Sequence, residues 1–181
     1  MKLGLLLDEL TGYELNGDAK AEVTGLAFDS RQVKPGYLFV AVSGWADDGH
    51  RYIGHAVARG AVVVVGERPH AEVEVGEVAY VRVPASREAL ARMAAAWYGH
   101  PGRKMTVVGV TGTDGKTTTV RLITAILQAA GYAVGCVDSV SASIARKSIP
   151  TGFHTTTPDA AEVQAYLAEM VAAGMEYGVL E

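Results

Sequence analysis

The stretch MTVVGVTGTDGKTT, residues 105–118, passes from a run of apolar and β-branched residues into a glycine-rich turn and then into Gly-Lys-Thr. The run at 105–111 has the composition of a parallel strand that is covered on both faces. Apolar residues at helical spacing after Lys116 predict a helix, which Gly131 ends. The stretch therefore predicts a strand–loop–helix unit, which is typical of α/β domains built on a parallel sheet.

The turn between this strand and this helix has the chemistry of a phosphate-binding loop. Its two glycines allow the backbone to curl, so that consecutive N–H groups can point at one anion, and the helix adds its own unpaired N–H groups and positive dipole end. Lys116 supplies a mobile charge for the β- and γ-phosphates, and the Thr117 hydroxyl can ligate Mg²⁺. We predict a P-loop that binds ATP, with Lys116 as the catalytic residue, formed by Gly112, Thr113, Asp114, Gly115, Lys116, Thr117 and Thr118.

One position departs from the general P-loop pattern, which has glycine five places before the Gly-Lys pair. Position 110 is valine in this chain, and the nearby glycines are at 109, 112 and 115. The alternative interpretation is a glycine-rich turn that happens to precede a helix.

The rest of the chain also reads as alternating strands and helices. Residues 133–138 predict the next strand, Pro158 predicts the start of a helix with Asp159 in its first turn, and residues 177–181 predict a further strand. A sheet of about three strands is small for a complete domain, so we expect the chain to be the N-terminal part of a longer protein. We also expect it to be inactive by itself.

The first hundred residues predict a separate α/β domain. Strand-like runs occur at 23–28, 38–42, 61–65 and 79–83, and helical spacing predicts helices at about 50–59 and after Ser86 as N-cap. Residues 99–104 contain two glycines and a proline. We therefore predict domains at 1–98 and 105–181, joined by a linker at 99–104.

Composition excludes several classes of protein. The net charge is −4, with no clustered basic face, which argues against nucleic acid as a partner. The single cysteine, Cys136, excludes an internal disulfide and lies in an apolar run typical of a core. No apolar run reaches membrane-spanning length and no signal peptide is evident. We predict a cytoplasmic monomer without a membrane partner.

Three segments resemble the Mur ligases. The loop GTDGKT at 112–117 is similar to their Gly-Thr-Asn-Gly-Lys-Thr, with Asp114 in place of asparagine, a carboxylate that needs Mg²⁺ or Lys116 as counter-charge. The segments 29–41 and 48–53, with Gly44 between them, resemble the first domain of the MurE and MurF types. The segments 154–159 and 175–181 resemble the MurE type in particular, in which Thr-Thr-Pro precedes a helix and a strand ends in glutamate.

The resemblance implies a fold and a reaction. The fold would be a small N-terminal α/β uridine-nucleotide-binding domain followed by the start of a P-loop-type parallel-sheet ATPase domain. The reaction would be ATP-dependent amide-bond formation, in which an amino acid is added to UDP-N-acetylmuramoyl-dipeptide through an acyl phosphate during peptidoglycan precursor synthesis. The alternatives are a MurF-type or other Mur-superfamily ligase, and a non-catalytic module that binds a uridine nucleotide.

The resemblance also implies site residues. Thr117 and Glu181 would ligate Mg²⁺, and a carboxylate at the end of a parallel strand lies where open α/β sheets bind ligands. The residues that would contact the UDP-linked substrate are Phe28, Ser30, Trp45, Ala46, Asp47, Thr155, Thr156 and Thr157. Taken by themselves, Ser30 could belong to a turn that ends a strand, and Thr155–Thr157 could cap a helix.

The remaining polar residues have simpler interpretations. We predict surface or packing roles for His50, His55 and His154, and a solvated loop for the charged tract 67–77.

Overall fold

A computed structural model describes residues 1–44, 47–151 and 158–181. The chain divides into two compact units, Met1–Trp97 and Tyr98–Glu181. Each unit has its own sheet, and the α/β class predicted from the sequence is confirmed.

The first unit is built on a mixed sheet with the order β1-β5-β4-β3-β2. Its strands are β1 (Glu14–Asn16), β2 (Gly25–Ala27), β3 (Tyr37–Val40), β4 (Val63–Gly66) and β5 (Ala79–Arg82). Strands β2 to β5 are parallel, and β1 pairs with β5 in the antiparallel sense. The helices are α1 (Leu3–Leu7), α2 (Ile53–Ala58) and α3 (Ser86–Trp97), with 3₁₀ turns at Ser30–Gln32, Gly49–Tyr52 and His70–Glu72.

Both faces of this sheet are buried. Side chains of successive strand residues point to opposite faces, so each face can be followed separately. On one face Phe39, Val64 and Tyr80 pack in a cluster with Ile53 and Ala56 of α2. The neighbouring strand residues therefore face the other side, and they are fully buried as well, as are the inner residues of α1 and α3. These residues include Leu38, Val40, Val63, Val65, Val81, Leu3, Leu6, Leu90 and Met93.

The second unit has a sheet with the order β6-β10-β7-β8-β9. Its strands are β6 (Thr106–Gly109), β7 (Val134–Val137), β8 (Ser141–Ile144), β9 (Lys147–Pro150) and β10 (Tyr177–Leu180). Strand β10 is parallel to both β6 and β7, whereas β8 and β9 continue the sheet in the antiparallel sense. The helices are α4 (Lys116–Ala129) and α5 (Ala160–Ala172), and a 3₁₀ turn spans Pro101–Arg103.

Two clusters form the core of the second unit. Val120 of α4 packs with Val134, Cys136 and Val179, so the predicted core position of Cys136 is confirmed. Leu167 and Met170 of α5 pack with residues of β7 and β8. The two helices thus cover different residues of the same sheet.

The structure corrects four details of the sequence prediction. The second sheet has five described strands and is mixed, where about three parallel strands were expected. Strand β6 lies at the edge of this sheet, and three of its four residues are exposed rather than covered on both faces. Helix α5 begins at Ala160, two residues after Pro158, because Asp159 is the N-cap and its N–H donates to the Glu162 carboxylate at 3.1 Å.

Helix α3, in contrast, begins one residue earlier than expected. Ser86 is its first residue rather than the N-cap. The Ser86 hydroxyl donates to the Glu67 carboxylate at 2.7 Å and accepts from the Ser43 N–H at 3.3 Å. No helix within the described ranges combines the length and the apolar character needed to cross a bilayer.

The two glycines of the α2 segment make a matched pair for a stability test. Gly60 has φ +96°, and an added Cβ would lie 2.9 Å from the Pro35 Cα, whereas a Cβ on Gly54 would meet nothing within 4 Å. We expect Gly60→Ala to lower the free energy of unfolding by about 1–3 kcal/mol, because alanine is strained there and collides with backbone. Gly54→Ala should raise it by about 0.5 kcal/mol through helix propensity. Urea unfolding measures both, and equal effects would contradict the prediction.

Candidate functional site

Three chain segments meet at the carboxyl ends of the parallel strands of the second sheet, because β10 lies between β6 and β7. Leu180 pairs with Gly109 on one side and with Val137 on the other. The ladder continues past the strand ends, since Val110 N–H donates to Leu180 O at 2.8 Å and Glu181 N–H to Val137 O at 2.9 Å. The carboxyl ends of these parallel strands are therefore followed by the glycine-rich loop, residues 138–139 and Glu181. Ligands bind at this end of the strands in open α/β sheets.

The glycine-rich loop is held in a conformation that depends on its two glycines. Gly112 has φ +148° and Gly115, the N-cap of α4, has φ +76°. Neither site is crowded, so the requirement for glycine comes from the backbone angles and not from lack of space. Helix α4 starts directly after the loop, so its first N–H groups and the positive end of its dipole face this edge.

The Lys116 ammonium lies over the loop. Its Nζ donates to Gly112 O at 2.9 Å and to Thr113 O at 3.2 Å. Thr113, Asp114 and Thr118 are exposed around it. Both acceptors are neutral carbonyl oxygens, and the described contacts of Lys116 include no carboxylate. The ammonium group can therefore exchange these carbonyl oxygens for phosphate oxygens.

Thr117 and Glu181 are brought into direct contact from residues far apart in the sequence. The Thr117 hydroxyl donates to Glu181 Oε2 at 2.8 Å, and the Ser139 N–H donates to the same oxygen at 3.1 Å. The Ser139 hydroxyl is 3.3 Å from the Thr117 hydroxyl. A carboxylate and two hydroxyls thus form a compact group of oxygen atoms, the ligand type that Mg²⁺ prefers.

Asp138 shapes the turn that presents Ser139. Only 2% of its surface is exposed, and its Oδ1 accepts from the N–H groups of Val140 and Ser141, both at 2.8 Å. Arg121 of α4 donates to Oδ2 at 3.0 Å. Burial by itself would raise the pKa of Asp138, but these donors favour the charged form more strongly and hold its pKa below the usual value. Sequence reasoning did not assign a role to Asp138.

The same edge of the second unit borders a cavity of about 570 Å³. Residues 109–112, Lys116 and Glu181 line it, together with Pro158. The predicted residues Thr155, Thr156 and Thr157 lie outside the described residues. The predicted ATP and metal residues therefore line or adjoin one concave site of a size typical for small-molecule ligands.

In the first unit, Ser30 and Asp47 are linked to one short helical segment. Ser30 is 6% exposed and its hydroxyl lies 2.9 Å from His55 Nδ1, while the Tyr52 hydroxyl donates to Asp47 at 2.5 Å. Tyr52 and His55 are three residues apart, so their side chains are neighbours on a helical surface. The structure thus brings Ser30 and Asp47 to one region, at the carboxyl ends of β2 and β3.

The contacts of Tyr52 and His55 with Asp47 and Ser30 were not predicted from the sequence. His55 was expected to be a surface or packing residue, and the only signal in the sequence was its spacing from Tyr52. Phe28 is half-buried at the end of β2, and Trp45 and Ala46 lie outside the described residues. Arg31 donates to Asp29 at 2.8 Å, which lowers the pKa of Asp29.

Within residues 1–44, 47–151 and 158–181, no group of three or more His, Cys, Asp or Glu side chains is arranged to hold a metal ion. A cation at the Thr117–Glu181 pair would therefore need further oxygen ligands from a bound phosphate or from water.

The lowered pKa of Asp138 predicts how acid acts on the second unit. A carboxyl group whose pKa is lower in the folded state stabilises above the unfolded-state pKa, and this stabilisation is lost as the pH falls through the folded-state pKa. We expect Asp138→Asn to reduce the stability of the second unit by about 1–3 kcal/mol at pH 7, and by less at pH 3, because the stabilisation declines once the pH falls below the unfolded-state pKa. Amide hydrogen exchange of the β7 and β10 residues measures this unit separately.

Glu169→Gln is the control for this variant, because Glu169 is an exposed carboxylate of α5. It should leave the stability at both pH values unchanged within about 0.5 kcal/mol. A loss from Asp138→Asn that is equal at the two pH values would contradict the assigned role of the charge.

Family models match both units. The model described as "Mur ligase family, catalytic domain" matches residues 22–98, and the model described as "Mur ligase middle domain" matches residues 110–181. Together the two matches cover most of the chain.

Curated relatives match along most or all of the chain. A UDP-N-acetylmuramyl-tripeptide synthetase from Roseiflexus sp. (strain RS-1) is 49% identical over 88% of this chain and 31% of its own length. A protein of the same name from Deinococcus radiodurans is 44% identical over 96% of this chain and 35% of its own length. A UDP-N-acetylmuramoyl-L-alanyl-D-glutamate–2,6-diaminopimelate ligase from Geobacillus thermodenitrificans is 39% identical over 100% and 36%. The chain thus spans about a third of the length of these relatives.

Solved structures share the fold. A UDP-N-acetylmuramoyl-L-alanyl-D-glutamate–2,6-diaminopimelate ligase superposes with a TM-score of 0.71 at 22% identity, over 93% of this chain and 34% of the other. A MurF ligase from Thermotoga maritima, solved in complex with ADP, has a TM-score of 0.52 at 27% identity, over 89% of this chain and 32% of the other. Because each unit matches a domain of the same family and the relatives match across both units, the chain belongs to the Mur ligase family.

Proposed function

We propose that this chain carries the ATP-binding loop and the uridine-nucleotide-binding unit of an ATP-dependent ligase that adds an amino acid to UDP-N-acetylmuramoyl-dipeptide. The proposal depends on one observation. At the carboxyl ends of the parallel strands β6, β10 and β7, the structure brings together the 112–118 loop, Lys116, Thr117 and Glu181. The names of the relatives support the choice of reaction.

ATP binding rests on charge complementarity at this edge. The triphosphate is strongly negative, and the loop offers backbone N–H groups, a helix N-terminus and the Lys116 ammonium, which donates only to carbonyls in the described contacts. The Thermotoga maritima MurF ligase was solved in complex with ADP, which supports the binding of an adenine nucleotide by this family. We propose Gly112–Thr118 as the ATP-contacting segment.

Mg²⁺ fits the Thr117–Glu181 pair by chemistry, because both side chains offer oxygen atoms. The Thr117 hydroxyl donates to Glu181 Oε2 at 2.8 Å, and the Ser139 N–H donates to the same oxygen at 3.1 Å. A bound Mg²⁺ would neutralise phosphate charge and so lower the repulsion between the triphosphate and an incoming carboxylate.

The proposed reaction transfers the γ-phosphoryl group of ATP to the terminal carboxylate of the peptide, which gives an acyl phosphate and ADP. The amine of the amino acid then attacks the acyl carbon, phosphate leaves, and an amide bond remains. The part of Lys116 and the loop amides is to hold the phosphates in position and to stabilise the charge that moves onto the β–γ bridging oxygen. Positioning and electrostatics dominate such transfers.

We assign the UDP-linked substrate to the first unit. Ser30 and Asp47 approach each other through Tyr52 and His55 at the carboxyl ends of parallel strands, the edge at which α/β sheets bind ligands. Phe28, Trp45 and Ala46 belong to the same predicted set, and Thr155, Thr156 and Thr157 are proposed for the muramoyl-peptide portion. A cytoplasmic location is proposed with this function, since both ATP and the UDP-linked precursor are required.

The relatives favour the MurE type over the MurF type. Those described above are named tripeptide synthetases or 2,6-diaminopimelate ligases, so the proposed acceptor is the dipeptide precursor. Their names differ in whether the amino acid is stated, and the identity of the added amino acid is left open by the proposal.

The ATP site is tested by Lys116→Ala and Thr117→Ala. We expect Lys116→Ala to weaken MgATP binding about 10- to 100-fold, because it removes a charge-assisted bond to phosphate. Thr117→Ala should weaken binding in the presence of Mg²⁺ while leaving the weaker Mg²⁺-free binding unchanged. Titration calorimetry measures both, with Thr117→Ser as the control that keeps the hydroxyl. Wild-type affinity in Lys116→Ala would overturn the proposed site.

A second titration separates the ligase from the alternative of a non-catalytic uridine-nucleotide module. The wild-type chain is titrated with MgATP and, separately, with UDP-N-acetylmuramoyl-dipeptide. Binding of both ligands is expected for the ligase. Binding of the uridine nucleotide without ATP would favour the module, and ATP binding without a response to the UDP-linked ligand would contradict the assignment of the first unit.

A further inference from the structure

The loop that follows β3 in the first unit is closed at its base. Gly44 N–H donates to Asp47 O at 2.9 Å, Gly49 N–H donates to Val42 O at 3.0 Å, and Ser43 forms an isolated bridge with Asp48. Ser43 and Asp48 thus stand side by side as the two stems of the loop. Asp47, one of the proposed substrate contacts, lies next to the second stem.

The first stem is attached to Glu67, the residue after β4. The Ser43 hydroxyl donates to Glu67 Oε2 at 3.0 Å, and Ser43 N–H donates to the Ser86 hydroxyl at 3.3 Å. The other carboxylate oxygen, Oε1, accepts from Ser86 N–H at 2.8 Å and from the Ser86 hydroxyl at 2.7 Å. The Glu67 side chain therefore joins the stem to the start of α3.

The second stem is attached to the same residue through a buried histidine. The His50 side chain is 2% exposed, with Nδ1 2.6 Å from Asp48 Oδ1 and Nε2 2.8 Å from the backbone N of Glu67. Because the Glu67 N–H donates to Nε2, that nitrogen carries no proton, and the ring proton lies on Nδ1 and is donated to Asp48. Arg68 also donates to Asp48, at 2.6 Å.

Glu67 thus fastens both stems, one through its carboxylate and one through its backbone N–H. Burial opposes the charged form of Glu67, but the two Ser86 donors and the Ser43 hydroxyl outweigh it and keep the pKa of Glu67 below its usual value. A charged acceptor with three donors is a stronger and more directional anchor than neutral contacts of the same number. This arrangement contradicts the expectation that the tract beginning at 67 is only a solvated loop.

We propose that Glu67 is a positioning residue, which fixes the Ser43 and Asp48 stems so that the neighbouring Asp47 is presented to the uridine-nucleotide substrate. The inference rests on the proposed function of the first unit. Glu67 itself does not touch the substrate in this proposal. It acts through Ser43 on one stem and through His50 and Asp48 on the other, and the affinity for the UDP-linked ligand depends on the fixed position of these two stems.

Removal of the Glu67 side chain releases the first stem and leaves the Ser86 donors without a partner. We expect Glu67→Ala to weaken binding of UDP-N-acetylmuramoyl-dipeptide about 10-fold, with MgATP binding unchanged within about twofold. Glu67→Gln keeps an acceptor for Ser86 and a polar partner for Ser43, so it should restore the affinity to within about threefold of the wild type. Titration calorimetry on the 181-residue chain measures both ligands.

Two control variants separate positioning from general loss of stability. Val81→Ala removes volume from the fully buried core of β5 and destabilises the unit without touching the stems, so its substrate affinity should stay at the wild-type value. Glu74→Ala removes an exposed carboxylate of the same acidic tract and should have no effect. If Glu67→Ala fails to fold, Ser43→Ala, which removes only the hydroxyl of an exposed residue, takes its place with an expected loss of about threefold.

The outcomes distinguish the two proposals. A wild-type chain that binds MgATP but not the UDP-linked ligand overturns the proposed function of the first unit and this inference with it. A wild type that binds the ligand, together with Glu67→Ala and Ser43→Ala variants that bind equally well, overturns the positioning role alone. A loss in Val81→Ala that equals the loss in Glu67→Ala would assign the effect to stability and would also overturn it.

Discussion

The insertion of β10 between β6 and β7 is the constraint on which the second unit depends. The carboxyl ends of neighbouring parallel strands lie side by side. The strands therefore bring together three residues that are far apart in sequence, Thr117, Asp138 and Glu181. The hydrogen-bond ladder extends one residue beyond the strands on both sides of Leu180. That extension fixes the backbone of Val110 and Glu181, and therefore the separation between the loop and the carboxylate.

In the first unit, parallel strands likewise bring residues of different segments together at their carboxyl ends. Its strands β2, β3 and β4 are parallel, and their carboxyl ends continue into Ser30, the Ser43–Asp48 loop and Glu67. In both units one carboxylate, the buried Asp138 or the half-buried Glu67, accepts backbone N–H and other donors and so sets the path of a neighbouring segment. These carboxylates resist the burial penalty because each has at least three donors. Both units thus use a carboxylate as a hydrogen-bond acceptor to hold a segment that follows a parallel strand.

The sequence was sufficient for the strand–loop–helix unit and the α/β class, because these features depend on local periodicity and on glycine. It was insufficient for the β8–β9 hairpin. The turn between these strands contains Ala145 at φ +52°, and neither Ala145 nor Arg146 is the glycine or asparagine that usually announces a tight hairpin. It was also insufficient for Tyr52, His55, Glu67 and Asp138, since these contacts join residues five to twenty-five positions apart and depend on tertiary packing.

Magnitudes decide which of the many ion pairs matter for function. The Arg92–Glu88 and Arg31–Asp29 pairs are short, but the arginines are about half and more than four-fifths exposed, so each contributes at most about 1 kcal/mol. Asp138 is 2% exposed and accepts two backbone N–H groups, so the loss of its charge weakens the bonds of a buried acceptor, which is the costlier event. The same reasoning applies to His50, whose buried ring has a partner on each nitrogen. The interactions that shape the segments beside the two proposed sites are therefore those of buried or half-buried side chains, and the exposed ion pairs contribute little.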